Sequence, residues 1–101
     1  MIVNLSSLFL GDKIFQTDHL FVVQHPKPAY PVHFLILPKE KIADAIEIDA
    51  DSNFWQEVPK AIQALVERTI SEGDGYRIIT TGGTYQEIPL FHIHFVSGDP
   101  F

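Results

Sequence analysis

From Ile88 to Gly98 the chain reads Ile-Pro-Leu-Phe-His-Ile-His-Phe-Val-Ser-Gly, apolar except for two histidines spaced two apart. In a strand, alternate side chains face the same way. His92 and His94 then share a face with Leu90 and Val96, while Phe91, Ile93 and Phe95 form a second, core-facing set. Lys13–Gln16, His19–Gln24, Val32–Leu37 and Tyr76–Thr81 are also rich in β-formers and predict four more strands. Pro38 is expected to stop the third. Between the second and third, residues 25–31 hold three prolines and predict a stiff, extended loop. Phe54, Trp55, Val58, Ala61, Ile62, Leu65, Val66 and Ile70 recur at three- and four-residue steps, which predicts one amphipathic helix. Asn53 with Gln56 would cap it as a capping box, Pro59 would kink it or delay its start, and Gly73 would stop it. Lys39–Ile48 has room for one short second helix. Met1–Leu10 carries no clear period, and Gly11-Asp12 reads as a turn. Short connections between the strands favour antiparallel pairing, so the expected class is α+β: a sheet of about five strands with one main helix.

A chain of 101 residues, 46% of them hydrophobic, suits a single core-forming domain over residues 1–101. The net charge of −6 and the lack of a basic cluster argue against a nucleic-acid polymer as partner. One phosphate held locally is still compatible with that charge. There is no cysteine, so thiolate chemistry and disulfides are excluded and a cytoplasmic location is expected. The N-terminal stretch lacks a basic region and a small-residue cleavage site, and no apolar run is long enough to span a bilayer.

The histidines carry the candidate chemistry. A lone strand histidine is most often a hydrogen-bonded structural residue, and His19 is read so. A strand His-x-His with one remote histidine, here His33, also suits a three-histidine zinc site. The third reading is nucleophilic catalysis. A neutral imidazole can attack phosphorus with one nitrogen while the other holds its proton against an acceptor, and in a strand a backbone carbonyl can be that acceptor. Neighbouring imidazoles would then donate to phosphate oxygens or to the leaving group.

From Lys13 onward the chain resembles the histidine triad (HIT) family, whose signature alternates three histidines with apolar residues. Ile14–Asp18 followed by Leu20–Val23 resembles that family's first hairpin. Pro28, Pro31 and His33–Lys39 resemble its proline loop and the strand after it, and Gly75-Tyr76-Arg77 and Gly83 resemble its approach to the active site. Counted from Gln86 on one side and Ser97-Gly98 on the other, Leu90 stands at the first triad position, His92 at the second and His94 at the third. A gapless count from Gly75 would instead start the triad at His92 and end it at Val96. The favoured register implies that His92 is the nucleophile that becomes a nucleotidyl-histidine, that His94 contacts the phosphate, and that His33 packs beside them. The carbonyl of the first triad residue orients the family's nucleophile, and Leu90 keeps that carbonyl. The resemblance also places Thr81, Gln86, Glu87 and His25 at the substrate, with Glu87 in place of a small hydroxyl residue and His25 where an acidic residue often binds the ribose. It implies a hydrolase or transferase acting on a purine nucleotide or nucleoside phosphoramidate, without a cofactor. Family members are commonly homodimers, so a homodimer is expected, with the helix and its neighbouring strand at the interface. A binding module without turnover is the alternative.

Overall fold

The computed structural model describes residues 13–101; the expectations for Met1–Leu10 and for Gly11-Asp12 fall outside them. Strand β1 (Lys13–Gln16) forms a hairpin with β2 (Leu20–Gln24), and β2 pairs with β3 (Val32–Pro38). A single 3₁₀ turn, Ala45–Glu47, takes the place of the short helix, and Asp44 caps it by accepting from the Ile46 N–H. Helix α1 (Asn53–Thr69), β4 (Arg77–Ile79), a second 3₁₀ turn (Gly83–Tyr85) and β5 (Ile93–Ser97) follow. All pairings are antiparallel, and the order across the sheet is β1-β2-β3-β5-β4. The last strand thus lies between β3 and β4.

Several boundaries differ from the sequence pattern for local reasons. Pro38 ends β3 as its last paired residue, opposite Leu20. The final strand begins at Ile93, because the chain bends through residues 87–90 and the Phe91 N–H bonds the Ile42 carbonyl instead of the sheet. Strand β4 stops at Ile79, opposite His94, since its partner strand extends no further than Ile93. Ser52, still extended, is the N-cap of α1, so Asn53 is already helical and the expected capping box does not form. The helix is continuous through Pro59, which lies on the exposed side and has no N–H to offer the Trp55 carbonyl. It ends at Thr69, with Ile70 as cap; Gly73 instead serves the following turn, which the Asp74 N–H closes onto Ser71.

The sheet is apolar on both faces. On one, Leu20, Val22, Ile36, Phe91, Ile93 and Phe95 pack against Phe54, Val58, Ala61 and Leu65 of the helix. On the other, Phe21, Val23, Leu35, Leu37 and Leu90 form a second buried cluster. Burying each of these larger side chains stabilises the fold by about 1.5–3 kcal/mol. The alternation in the last strand is therefore real: Phe91, Ile93 and Phe95 face the helix, Leu90 the opposite side. Trp55 packs edge-on against Phe91, with ring centres 5.8 Å apart, which gives its ring an intramolecular role.

Gly98 follows β5 at φ +88°, and a Cβ there would lie 2.8 Å from Cγ of Pro31 in the proline loop. Gly73 has the same φ but open space around it. Positive φ alone costs a side chain about 1 kcal/mol, and a forced contact adds about 1–3 kcal/mol. Gly98→Ala is therefore expected to lower unfolding stability by about 2–4 kcal/mol and Gly73→Ala by about 1 kcal/mol. Urea titration of both variants measures the difference, and equal losses would contradict it.

Candidate functional site

Four imidazoles meet on one face of the sheet, beside the end of β2 and the start of β3 and along β5 and the residue before it. His33 lies on β3 and pairs with Val96, while His94 lies on β5 and pairs with Leu35. Residues opposite one another in antiparallel strands share a face, so both rings stand on the side of Leu35 and Leu37, away from the helix. His25 follows β2 directly, held by its own N–H to the His33 carbonyl at 3.0 Å. His92 sits one residue before β5, and its carbonyl accepts the Thr80 hydroxyl at 2.8 Å. Ring centres are 4.9 Å apart for His92 and His94, 5.1 Å for His33 and His94, and 4.2 Å for the stacked pair His25 and His33.

Hydrogen bonds assign the protons. Nδ1 of His92 lies 2.8 Å from the Leu90 carbonyl, which can only accept, so Nδ1 donates and the lone pair of the neutral ring is on Nε2. Nδ1 of His33 accepts the Ala29 N–H at 3.0 Å. Its proton is therefore on Nε2, which donates to Nδ1 of His94 at 2.8 Å. That in turn leaves the proton of neutral His94 on Nε2. Nδ1 of His25 accepts the Lys27 N–H at 3.0 Å, which likewise leaves its proton on Nε2. Main-chain N–H groups of the proline loop thus set two tautomers directly and a third through His33.

The same setting disfavours charge on His33, His94 and His25. Burial, and then His25, push His33 down to about 4. Burial followed by His92, His33 and His25 push His94 down to about 4. His25 is lowered by burial and by His92, while Glu87 opposes the shift. Only 4% of His33 and 8% of His92 is exposed.

Of the residues singled out in the sequence, His92, His94, His33 and His25 come together, and Leu90 contributes its carbonyl. Glu87 is exposed on the bend before Leu90 and within electrostatic reach of His25. Gln86 donates its side-chain amide to the Ala43 carbonyl at 2.7 Å, tying the 83–88 loop to the segment after β3. Thr81 is half-buried; its neighbour Thr80 is the threonine that bonds the His92 carbonyl. Thr80 and the N–H groups of Lys27 and Ala29 escaped the sequence reading. The crowded prolines were the available signal, since a stiff loop can hold N–H groups in fixed directions. His19 stands apart from the cluster: its backbone N–H and ring Nδ1 both bond Glu57 on α1, and Thr17 bonds the same carboxylate. Burial works against the charge on Glu57, but these hydrogen bonds outweigh it and hold the carboxyl below its usual range.

For a metal, the geometry selects a different trio from His33, His92 and His94. One ring nitrogen from each of His25, His33 and His94 lies within 4.8 Å of the others. A cation would have to take a His33 nitrogen, and both are engaged in hydrogen bonds. Breaking either strands a buried polar group at about 1–3 kcal/mol. The arrangement therefore favours ordered protons over a bound cation. A cleft of about 550 Å³, lined by His19, Lys39, Asp49 and Phe54 among others, opens at the other end of β2 and β3 and shares no residue with the cluster.

The sequence profile of the HIT domain matches residues 10–101. An uncharacterized HIT-like protein of Chlamydia trachomatis is 33% identical over 84 residues, covering 82% of this chain and 75% of the relative. One from Chlamydia muridarum is 32% identical over 84 residues, covering 82% of this chain and 66% of its own length. Among solved structures, a HIT family hydrolase from Clostridium thermocellum superposes with a TM-score of 0.80 at 28% identity, over 94% of this chain and 85% of that one. No helix among the described residues is long and apolar enough to cross a membrane.

The depressed histidines link folding to pH. Unfolded, they titrate near ~6.5, whereas His33 and His94 titrate at about 4 in the fold. Between those values the unfolded chain binds more protons, so their contribution is complete above the unfolded value and is lost as pH falls toward the folded one. The urea midpoint is expected to hold steady from pH 8 to 7 and to drop progressively between pH 6.5 and 4.5. A midpoint that stays constant down to pH 4.5 would contradict this linkage.

Proposed function

Since the chain belongs to the HIT domain family, we propose that it hydrolyses or transfers at a nucleoside 5′-phosphoryl centre, with His92 as nucleophile. The observation that carries this is the 2.8 Å bond from Nδ1 of His92 to the Leu90 carbonyl, which leaves Nε2 as the attacking atom. In the proposed first step the Nε2 lone pair forms a bond to phosphorus. The bond from phosphorus to the leaving group breaks, and the leaving group departs with that electron pair and takes up a proton. Positive charge develops on the His92 ring, and the Leu90 carbonyl stabilises the Nδ1–H that carries it. His94, with its proton on Nε2, donates to a phosphoryl oxygen, and His33 holds His94 in that tautomer. Water then cleaves the nucleotidyl-histidine, returning the imidazole and releasing a nucleoside monophosphate.

In this reading Leu90 occupies the first triad position, and only its backbone is required there. The Clostridium thermocellum neighbour bears the name hydrolase, which supports turnover over binding alone. Strand β4 is a sheet edge with Ile78 partly exposed, which suits pairing with a second copy, so a homodimer belongs to the proposal. Sedimentation velocity distinguishes it from a monomer. The rival, a module that binds nucleotide without turnover, draws on Glu87, whose carboxylate disfavours an anion beside His25.

Release of AMP from adenosine 5′-phosphoramidate tests the reaction. The native chain is expected to release AMP and to form an acid-labile nucleotidyl adduct, with His92→Ala slower by about 10³-fold or more. AMP binding with no release in the native chain would favour the rival. Removing one like charge near the phosphate changes binding by about 1 kcal/mol at an intermediate dielectric, so Glu87→Gln is expected to lower KM by about fivefold. An unchanged or higher KM would remove Glu87 from the site.

A further inference from the structure

We propose that His25 is a second phosphoryl-binding residue of this site, completing with His94 a pair of uncharged N–H donors to the phosphoryl oxygens. The inference rests on the phosphoryl-transfer reading above and assigns His25 a role toward the phosphate, not toward the sugar or base.

Three constraints hold the His25 ring. Its backbone N–H bonds the His33 carbonyl at 3.0 Å, extending the β2–β3 pairing by one step. Its ring stacks on His33 with centres 4.2 Å apart and planes 29° apart. Its Nδ1 accepts the Lys27 N–H, so the proton of the neutral ring is on Nε2. His25 is therefore a donor whose direction is set before any ligand arrives. An imidazole in this state offers Nε2–H to an acceptor such as a phosphoryl oxygen. It has no remaining acceptor for a ribose hydroxyl proton.

The ring also lies in the right place. His25 and His94 have centres 6.0 Å apart with planes 25° apart. One nitrogen of each lies within 4.8 Å of the other and of one His33 nitrogen. Both nitrogens of His33 are engaged, which leaves the Nε2–H groups of His25 and His94 as the donors for a ligand. N–H groups on two rings with centres 6.0 Å apart can reach a single phosphoryl group, since each bonds its oxygen at about 2.9 Å. His25 interacts electrostatically with His33, His92, His94 and Glu87. None of these four carries a permanent positive charge, so what they offer a phosphate is hydrogen bonds. Such donors act most strongly when the phosphoryl oxygens gain negative charge during attack.

The test compares AMP with adenosine. In a His92→Ala background, which allows equilibrium binding, His25→Ala is expected to weaken AMP about tenfold and to leave adenosine unchanged. His25→Asn keeps an N–H donor and is expected to recover part of the AMP affinity. In chains that retain His92, His25→Ala is expected to lower kcat on adenosine 5′-phosphoramidate as well as to raise KM. Circular dichroism of each variant verifies folding. Equal weakening of AMP and adenosine would overturn the proposal in favour of a sugar or base contact, and unchanged AMP affinity would overturn it outright. Failure of the underlying reading has a different mark: undiminished AMP release by His92→Ala, whatever His25 does.

Discussion

The hydrogen bond between Nδ1 of His92 and the Leu90 carbonyl decides what the rest of the structure can do. It spans only two residues, yet three separate features hold it. The bend through residues 87–90 turns the carbonyl toward the ring, and the Phe91 N–H is anchored to Ile42. The Thr80 hydroxyl fixes the His92 carbonyl. Leu90 itself is buried in the cluster beneath Leu35 and Leu37. The apolar face that hides Leu90 therefore aims a main-chain oxygen. A side chain at this position need only be apolar and fill its place, so under the proposed register leucine suffices at the first triad position.

A second chain of constraints begins in the proline loop. The Ala29 N–H orders His33, and His33 orders His94. The loop is itself pinned from the C-terminal side, where the Phe101 N–H bonds the Ala29 carbonyl and Gly98 packs against Pro31. The segment that sets the tautomers is thus tied, at Ala29 and Pro31, to residues just after the strand that carries His94. Burial and mutual repulsion keep His33 and His94 uncharged, which favours nucleophilic and hydrogen-bonding roles. The same burial makes their protonation unfavourable to folding. The proposed function and the acid sensitivity therefore share one cause.

Much of this was legible in the sequence. The alternation in Leu90-Phe91-His92-Ile93-His94-Phe95 gave the two faces correctly, because a period of two leaves little choice once one face must be buried. The periodic run from Phe54 to Ile70 located the helix for the same reason. What could not be read depends on contacts between distant segments. Strand order is one case: nothing local in residues 93–97 says that they insert between β3 and β4. Donors are another. Lys27 and Ala29 act through backbone N–H groups, which every residue except proline possesses, so residue type carries no signal. Thr80 was passed over for Thr81 because only the finished pairing of β4 with β5 shows which hydroxyl reaches the His92 carbonyl.

Under the proposed reading, His25 and Glu87 depart from the family pattern without loss of coherence. An acidic residue at position 25 would add negative charge beside a bound phosphate. Histidine removes that charge and supplies a donor, while Glu87 restores a carboxylate nearby on an exposed bend. Position matters more than the count of charges. An exposed carboxylate is screened by water and salt, whereas a group packed against His33 acts through a drier medium in which hydrogen bonds are stronger. The exchange moves the negative charge outward, to the rim, and the donor inward, against the imidazole stack. Under the proposed reading, a phosphoryl group that reaches His92 meets the carboxylate where water weakens it and the donor where burial strengthens it.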